Sequence, residues 1–399
     1  PYSIRKAYGL TTVDHKVAIY AHYFHRLLQR AHDVTIVYNN STNDGQKGEM
    51  SRFMLQLMVE RTLPIKYLSL KAGQQSTPHT PQAIAKTPEI LQILHDRFCG
   101  EHRSISPTAI SNYLRCQLRF FYRYVSNLQE PDETDDDLIE NRIFGNIFHK
   151  AAQTLYEQLI SVTGNRITTL ALDDLLKHTE AIERAVDEAI REELFHLPAQ
   201  RQLVLDGLQL INREVIIRYI TLLLQVDRSL TPFTILGLEK PVSMSLGEMT
   251  IGGYIDRLDL VTDAETGEDR IRVIDYKTGA RKLKALPDID AVFDPAYIPE
   301  HSDYYLQTFL YAHIVSSQAK EPKAVSPSLL FIQHAGVEDY DPTLLLGREA
   351  VRDIATVAPR FMELLNTKIG EIFHPDLAFV PTDDRDRCRS CPYAALCGR

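Results

Sequence analysis

Gly253-Tyr-Ile-Asp256-Arg257-Leu-Asp259, followed by Ile274-Asp275-Tyr276-Lys277-Thr278-Gly279, decides how the rest of the chain is read. Both segments lie in apolar runs that predict neighbouring strands of a β-hairpin. Side chains alternate along a strand, so Asp275 and Lys277 share one face. Asp256 stands across the hairpin from them. Asp and Lys are depleted in strands, so three of them at strand ends ask for a chemical reason. Two carboxylates beside an ammonium suit a hard divalent cation and an activated water.

Neighbouring segments extend the set. Glu239, in Leu236-Gly-Leu-Glu-Lys-Pro241, lies on the preceding strand and offers a further carboxylate. His149, in Phe144-Gly-Asn-Ile-Phe-His149, sits near the start of a helix and offers a nitrogen. Phosphodiester hydrolysis needs a metal on the phosphate, a source of hydroxide and relief of charge on the leaving oxygen. Asp256 and Asp275 can ligate Mg²⁺ or Mn²⁺ through oxygen. Lys277 can orient the water or counter transition-state charge. Taken singly, each residue has a plainer reading. Asp275 and Lys277 make an exposed ion pair of little worth, Asp256 pairs with Arg257 or Lys240, and His149 packs in a core.

The order of five elements is more specific. Gly145-x-x-x-His149, Glu239, Gly253-x-x-Asp256-Arg257-x-Asp259, Asp275-Tyr276-Lys277-Thr278-Gly279 and Gln307-x-x-x-Tyr311 occur in that sequence. The chain in this respect resembles RecB/AddB-type nucleases of the PD-(D/E)XK superfamily, over roughly residues 104–399. The resemblance implies an α/β restriction-endonuclease-like core, a mixed sheet flanked by helices. It implies that His149, Asp256 and Asp275 bind metal, that Lys277 is catalytic and that Glu239 supports the metal shell. Gln307 and Tyr311, one helical turn apart, would help hold the site and DNA.

Five cysteines are present, three of them in Cys388-Arg-Ser-Cys391-Pro-Tyr-Ala-Ala-Leu-Cys397. Without a secretion signal a disulfide framework is not expected. The close spacing favours a metal or cluster, and thiolates take zinc or iron–sulfur alike. The resemblance implies a four-iron four-sulfur cluster held by Cys116, Cys388, Cys391 and Cys397, stapling the two ends of the domain. Gln117 stands where such proteins often have Pro. Cys99 has no matching role and reads as a small buried residue.

Composition bounds the alternatives. The chain has 399 residues, a net charge of −9 and no tryptophan. The acidic balance argues against a protein that coats nucleic acid everywhere but leaves room for a local basic groove. Much of the acid sits in Glu130–Glu140, which reads as a solvated loop. No apolar run is long enough for a membrane span, and no signal peptide opens the chain. A cytoplasmic protein is expected, and the start at Pro1 reads as a piece of a longer one. No Gly-x-x-x-x-Gly-Lys-Ser/Thr loop occurs, so the chain alone is not expected to hydrolyse ATP.

Residues 1–75 read as a small α/β fragment, with helices at Val17–Arg30 and Glu49–Glu60 and strands at Asp33–Tyr38 and Ile65–Leu70. They resemble the end of the helicase-like domain that precedes the nuclease in AddB-like proteins. Residues 76–103 read as a linker and connecting helix, and 104–399 as the nuclease domain. In the latter, Ser106-Pro107 starts a helix expected to run to about Val125. Further helices are expected at Arg142–Leu159, Asp173–Phe195 and Arg201–Asp227, the last internal. Arg115, Arg119 and Arg123 would then form one basic face, interleaved with aromatics that either stack on bases or fill the core. Arg281 and Lys282 follow the Asp-Tyr-Lys motif and are placed to meet phosphate. The expected function is a metal-dependent DNA exonuclease of a helicase–nuclease in double-strand break repair, acting on DNA ends with a partner subunit. Competing readings are a silent, cluster-bearing DNA-end-binding module and a CRISPR-associated nuclease of the same fold.

Overall fold

A computed structural model describes the chain except residues 1, 10, 13–14, 39–41, 44–45, 48–49, 61–63, 69–80, 101–102, 130–140, 199–202, 263–266, 280–282, 322 and 336–339. The acidic run 130–140 and both Arg281 and Lys282 therefore lie outside the described residues. The chain divides into two compact units, Pro1–Ser76 and Thr77–Arg399.

The first unit has helices Tyr2–Ala7, Lys16–Leu28 and Arg52–Glu60. A short hairpin pairs Thr42–Asn43 with Gln46–Lys47. Of the strands expected at Asp33–Tyr38 and Ile65–Leu70, residues 33–38 and 65–68 carry no ladder, and residues 69–70 lie outside the described residues. A parallel strand pair needs apolar cover on both faces. Here Thr12 is the one buried residue among those described in this unit, and Val37 and Leu68 are exposed.

In the second unit, element labels run in chain order. A five-stranded sheet has the order β1 (Arg166–Ile167), β2 (Phe233–Leu246), β3 (Met249–Thr262), β4 (Asp269–Lys277) and β5 (Ala324–Phe331). All neighbours are antiparallel except β4 and β5, which are parallel. Parallel neighbours need a crossover, supplied by a helix at Ser302–Gln318. The expected hairpin is β3–β4, and the mixed sheet flanked by helices is borne out.

Helices cover both faces. On one face lie α1 (Pro88–Phe98), α2 (Pro107–Arg115), the crossover helix and a further helix, Ala358–Phe373, packed around Val273, Ile255 and Phe309. On the other lie α4 (Asn141–Thr163), α5 (Thr169–Lys177), α6 (Glu180–Glu193) and α7 (Gly207–Ser229), around Ile274, Tyr276 and Phe233. The crossover helix is α8 and the helix Ala358–Phe373 is α9.

Several expected helices change shape. Ser106 caps α2 by accepting from the Ala109 N–H, with Pro107 in the first turn. The helix does not run on to Val125. Cys116 is extended, with φ −167° and ψ 121°, and ends it. Helix resumes as α3 (Gln117–Phe120) and a π-turn, Phe121–Val125. The expected Asp173–Phe195 helix breaks at His178 into α5 and α6. The helix read as internal, α7, is buried only in its second half. Ile216, Ile220, Leu223 and Leu224 are buried there, whereas Leu210 and Ile211 are exposed.

Candidate active site and cysteine pocket

The site lies where β3 and β4 part. Their ladder runs from Thr262↔Asp269 to Arg257↔Ile274 and ends there. Beyond it, β3 continues paired with β2, and β4 continues to Lys277 paired with β5. A fork between two strands leaves backbone donors without a ladder partner. Asp256 supplies one substitute: its Oδ2 accepts from the Tyr276 N–H at 2.6 Å. Asp256, Asp275 and Lys277 thereby line the two arms of the fork.

His149 on α4 and Glu239 on β2 close the group. His149 Nδ1 is 3.3 Å from Asp256 Oδ2 and 4.0 Å from Glu239 Oε1. Glu239 sits at φ +43°, a left-handed conformation that costs a non-glycine residue energy. It follows an irregularity in the β2–β3 register between Ile235 and Gly237. Donor atoms of His149, Glu239 and Asp256 lie within 4.8 Å of one another. Glu239 thus joins the compact donor group that Asp275 was expected to complete. Both oxygens of Asp275 are engaged elsewhere. Gln307 Nε2 on α8 donates to Oδ1 at 2.9 Å, and Lys277 Nζ is 2.7 Å from Oδ2.

The electrostatics of the group favour a cation. Burial and the Asp256 carboxylate push Glu239 up to about 7. Burial, with Asp256 beside it, also raises Asp275 despite Lys277. Burial pulls His149 down, but Asp256, Asp275 and Glu239 together outweigh it and raise it above its ordinary value. Burial likewise disfavours charge on Lys277, and Asp275 more than offsets that. Crowded carboxylates that resist ionisation, with an imidazole among them, are hard donors suited to a divalent metal. His149 and Glu239 keep 29% and 30% of their side-chain surface, so the group is open to solvent.

Tyr311, expected to help hold the site, is buried and explains Gly253. A Cβ at Gly253 would lie 2.1 Å from Tyr311 Oη and 2.9 Å from its Cζ. The motif glycine is there because a tyrosine ring abuts the strand. Burial pushes the Tyr311 hydroxyl up to about 12.

The next residues of the same motif enter a second, buried cluster. Arg257 Nη2 donates to Asp227 Oδ1 of α7 at 2.7 Å, and Tyr156 of α4 donates to Asp227 Oδ2. Asp259 accepts from Arg272 Nε at 2.8 Å and Nη2 at 2.9 Å, and lies 3.2 Å from Arg257 Nε. Asp256 does not pair with Arg257. Sequence reasoning missed Asp227 and Arg272; the signal available was an Asp inside an otherwise apolar stretch of α7.

Cys116, Cys388, Cys391 and Cys397 line one pocket with Arg119, Arg387 and Arg399. Chain ends are drawn together there by ordinary hydrogen bonds. Gln117 Oε1 accepts from the Val380 N–H at 3.0 Å, and Tyr393 Oη donates to Leu128 O at 2.8 Å. Gln117 therefore has a structural job of its own. Burial raises the thiols of Cys391 and Cys397, and Arg399 Nη1 approaches Cys388 Sγ at 3.8 Å. Cys99 lies elsewhere, buried in a bridge to Met249.

The break at Cys116 means that Arg115, Arg119 and Arg123 do not share the face of one continuous helix. Arg115 Nη2 lies 3.8 Å from Asp303 of α8, Arg115 and Arg119 both line the cysteine pocket, and Arg123 sits against the Tyr124 ring. Tyr113 and Phe120 are buried, and Phe121, Tyr122 and Tyr124 pack on the same core. Those rings fill the interior.

Comparison with known proteins places the chain among nucleases. One relative is a subunit of the ATP-dependent helicase/deoxyribonuclease of Streptococcus pyogenes strain MGAS10750. The chain is 24% identical to it over 228 residues, covering 56% of this chain and 19% of the relative. The protein of the same name from strain NZ131 is 24% identical over 225 residues, 55% of this chain and 18% of the relative. The chain thus spans about a fifth of the length of these curated relatives. The family model of the PD-(D/E)XK nuclease superfamily matches residues 104–398, which include the fork and all four pocket cysteines. This chain belongs to the PD-(D/E)XK nuclease superfamily.

Proposed function

We propose that the chain is the metal-dependent DNA exonuclease part of a RecB/AddB-like helicase–nuclease, hydrolysing phosphodiester bonds at DNA ends during double-strand break repair in the cytoplasm. One observation carries this reading. His149, Glu239, Asp256, Asp275 and Lys277, from four separate elements, meet at the fork of one hairpin. The relatives are named as subunits of a helicase/deoxyribonuclease, which supports DNA as substrate and a partner subunit.

His149, Glu239 and Asp256 would hold Mg²⁺ or Mn²⁺, with Asp275 turning from Lys277 to join them. Bound there, such an ion would supply a Lewis acid for the phosphate and for water. Gln307 holds the plane of the Asp275 carboxylate through Oδ1. Lys277 orients the attacking water or counters charge on the phosphate. Arg115, one helix end from the site, and Arg281 and Lys282, which follow Lys277 in sequence, would contact the strand's phosphates, with Arg119 and Arg123 further out. Residues 1–75 would be the end of the preceding helicase-like domain.

At the cysteine pocket we assign a four-iron four-sulfur cluster in preference to zinc. Among the described residues, no three of the four thiols bring their sulfurs within 4.8 Å of one another. Four thiolates about 2.3 Å from one zinc sit closer than that, whereas in a cluster each thiolate holds its own iron. Arg119, Arg387 and Arg399 suit the negative charge of such a group.

The test is cleavage of linear DNA by the whole chain. Activity should require Mg²⁺ or Mn²⁺, stop with EDTA and return on metal addition. Lys277→Ala and Asp275→Ala should abolish it with the fold intact, and full activity in either variant sinks the assignment. Tight DNA binding without metal-dependent cleavage would favour a silent end-binding module.

A further inference from the structure

Lys277 has two partners in the fork, and a divalent cation would treat them differently. One is Asp275 Oδ2 at 2.7 Å. The other is the ring of Tyr304, whose centroid lies 4.5 Å from Nζ. Tyr304 is in the first turn of α8, three residues before Gln307 and on the same side of the helix. None of the five motif elements includes it.

The Tyr304 ring is braced from behind. It stacks on the His301 imidazole, with centroids 4.6 Å apart and planes 7° from parallel. His301 holds φ 62° and ψ 43° at the helix start, a left-handed conformation that a non-glycine residue adopts at a cost. Its Nδ1 is 3.9 Å from Asp303, which in turn is 3.8 Å from Arg115. Strained backbone of this kind persists where the surroundings over-determine it.

A carboxylate that ligates a divalent ion gives up much of its hold on a neighbouring ammonium. Lysine carries its charge on a flexible four-carbon stem, so Lys277 would lose its anchor at the moment it is needed on the phosphate. An aromatic face attracts a cation through its quadrupole and ligates no hard metal. We propose that Tyr304 is a positioning residue: its ring, backed by His301, keeps Lys277 in the fork when a divalent ion draws Asp275 away. The idea rests on the nuclease reading of this site.

Three replacements in the full chain separate ring, charge attraction and shape. Tyr304→Phe keeps the ring. Tyr304→Leu removes it. A trifluorinated phenylalanine at position 304 keeps the shape and cancels the negative face, so it stays informative if the leucine variant folds poorly. With Mg²⁺ and linear DNA, the phenylalanine variant should keep kcat within about twofold, and the other two should lose roughly tenfold. KM and the half-saturating Mg²⁺ concentration should stay the same. A second readout needs no turnover: acylation of Lys277 by an amine reagent, followed by mass spectrometry with and without Mg²⁺. Mg²⁺ should leave labelling of the wild type and Tyr304→Phe nearly unchanged and raise it severalfold in the other two. Equal kcat for the phenylalanine and trifluorinated variants, or an equal Mg²⁺ effect on labelling in all four proteins, overturns the proposal. If the wild type cuts no DNA the nuclease reading fails, and the labelling alone then decides on Tyr304.

Discussion

Two clusters of charge share the β3–β4 hairpin and are built to opposite rules. In one, Asp227 and Asp259 meet Arg257 and Arg272, two acids against two bases. The first three are 0% exposed and Arg272 3%. Every carboxylate there is answered by a guanidinium, with the cation faces also covered by Tyr156, Phe233 and Tyr276. In the other, Glu239, Asp256 and Asp275 meet Lys277 and an imidazole, with part of the group open to solvent. The first cluster is closed and balanced; the second is open and short of positive charge. One motif, Gly253-x-x-Asp256-Arg257-x-Asp259, feeds both: Asp256 enters the open cluster, and Arg257 and Asp259 the balanced one.

The sharpest way to break this contrast is to make the same change at its two acids. Asp256→Asn should lower Mg²⁺-dependent cleavage on the order of a thousandfold with the melting temperature unchanged or raised. Its amide oxygen can still accept from Tyr276, and one crowding charge is gone. Asp259→Asn should do the reverse, lowering stability while activity per folded molecule persists. Cleavage assays beside thermal melts check both, and matching behaviour of the two variants would erase the distinction.

The balanced cluster makes a second demand. Arg257→Met leaves Asp227 buried without its main partner, and breaking a buried pair in this way costs about 3–5 kcal/mol. Arg257→Met combined with Asp227→Leu should recover much of that, because no charge then stays buried alone. Urea denaturation of the single and double variants measures the difference. A double variant as unstable as the single would mean that packing, not charge, dominates at Arg257.

How much of this was legible in the sequence follows from distance along the chain. Asp275 and Lys277 could be put on one face because a strand's period of two is a local property. Asp227 could not be joined to Arg257, since nothing local links a helix to a strand thirty residues later. The fork itself was invisible: alternation predicts strands but not where a ladder ends. Cys116 looks like any residue inside a helix, yet it is extended, and that break separates Arg115 from Arg119 and Arg123. The apolar runs at Asp33–Tyr38 and Ile65–Leu70 show the converse error. They carry a strand's composition, but the described residues around them supply no cover.

Gly253 joins the comparison at a smaller scale. Gly253→Ala forces its Cβ against the Tyr311 hydroxyl, an overpacking that costs about 1–3 kcal/mol. Tyr311→Phe in the same chain should relieve part of it, and a double-mutant cycle read by urea denaturation should show coupling of roughly 1 kcal/mol. Additive effects would mean that the ring does not depend on the missing Cβ.

The smallest effect concerns protons at the open cluster. Glu239 is raised from an ordinary 4.5 to about 7, by burial first and by Asp256 second. The metal-free folded chain therefore binds an extra proton between those two values, where the unfolded chain does not. Its stability falls as pH rises through that window and levels off above about 7. A divalent ion must displace this proton, so its binding strengthens with pH over the same range. His149, also raised, acts in the same direction. Mn²⁺ should accordingly raise the melting temperature by a few degrees more near pH 8 than near pH 5.5, and EDTA should remove the gain at both. Glu239→Gln should shrink the difference without abolishing it, because His149 still titrates. The balanced cluster sets the control: Arg257 and its acids carry no excess negative charge, so the Mn²⁺ shift must not depend on them. An equal shift at the two pH values would take Glu239 out of the cation site and leave the open cluster with a different donor set.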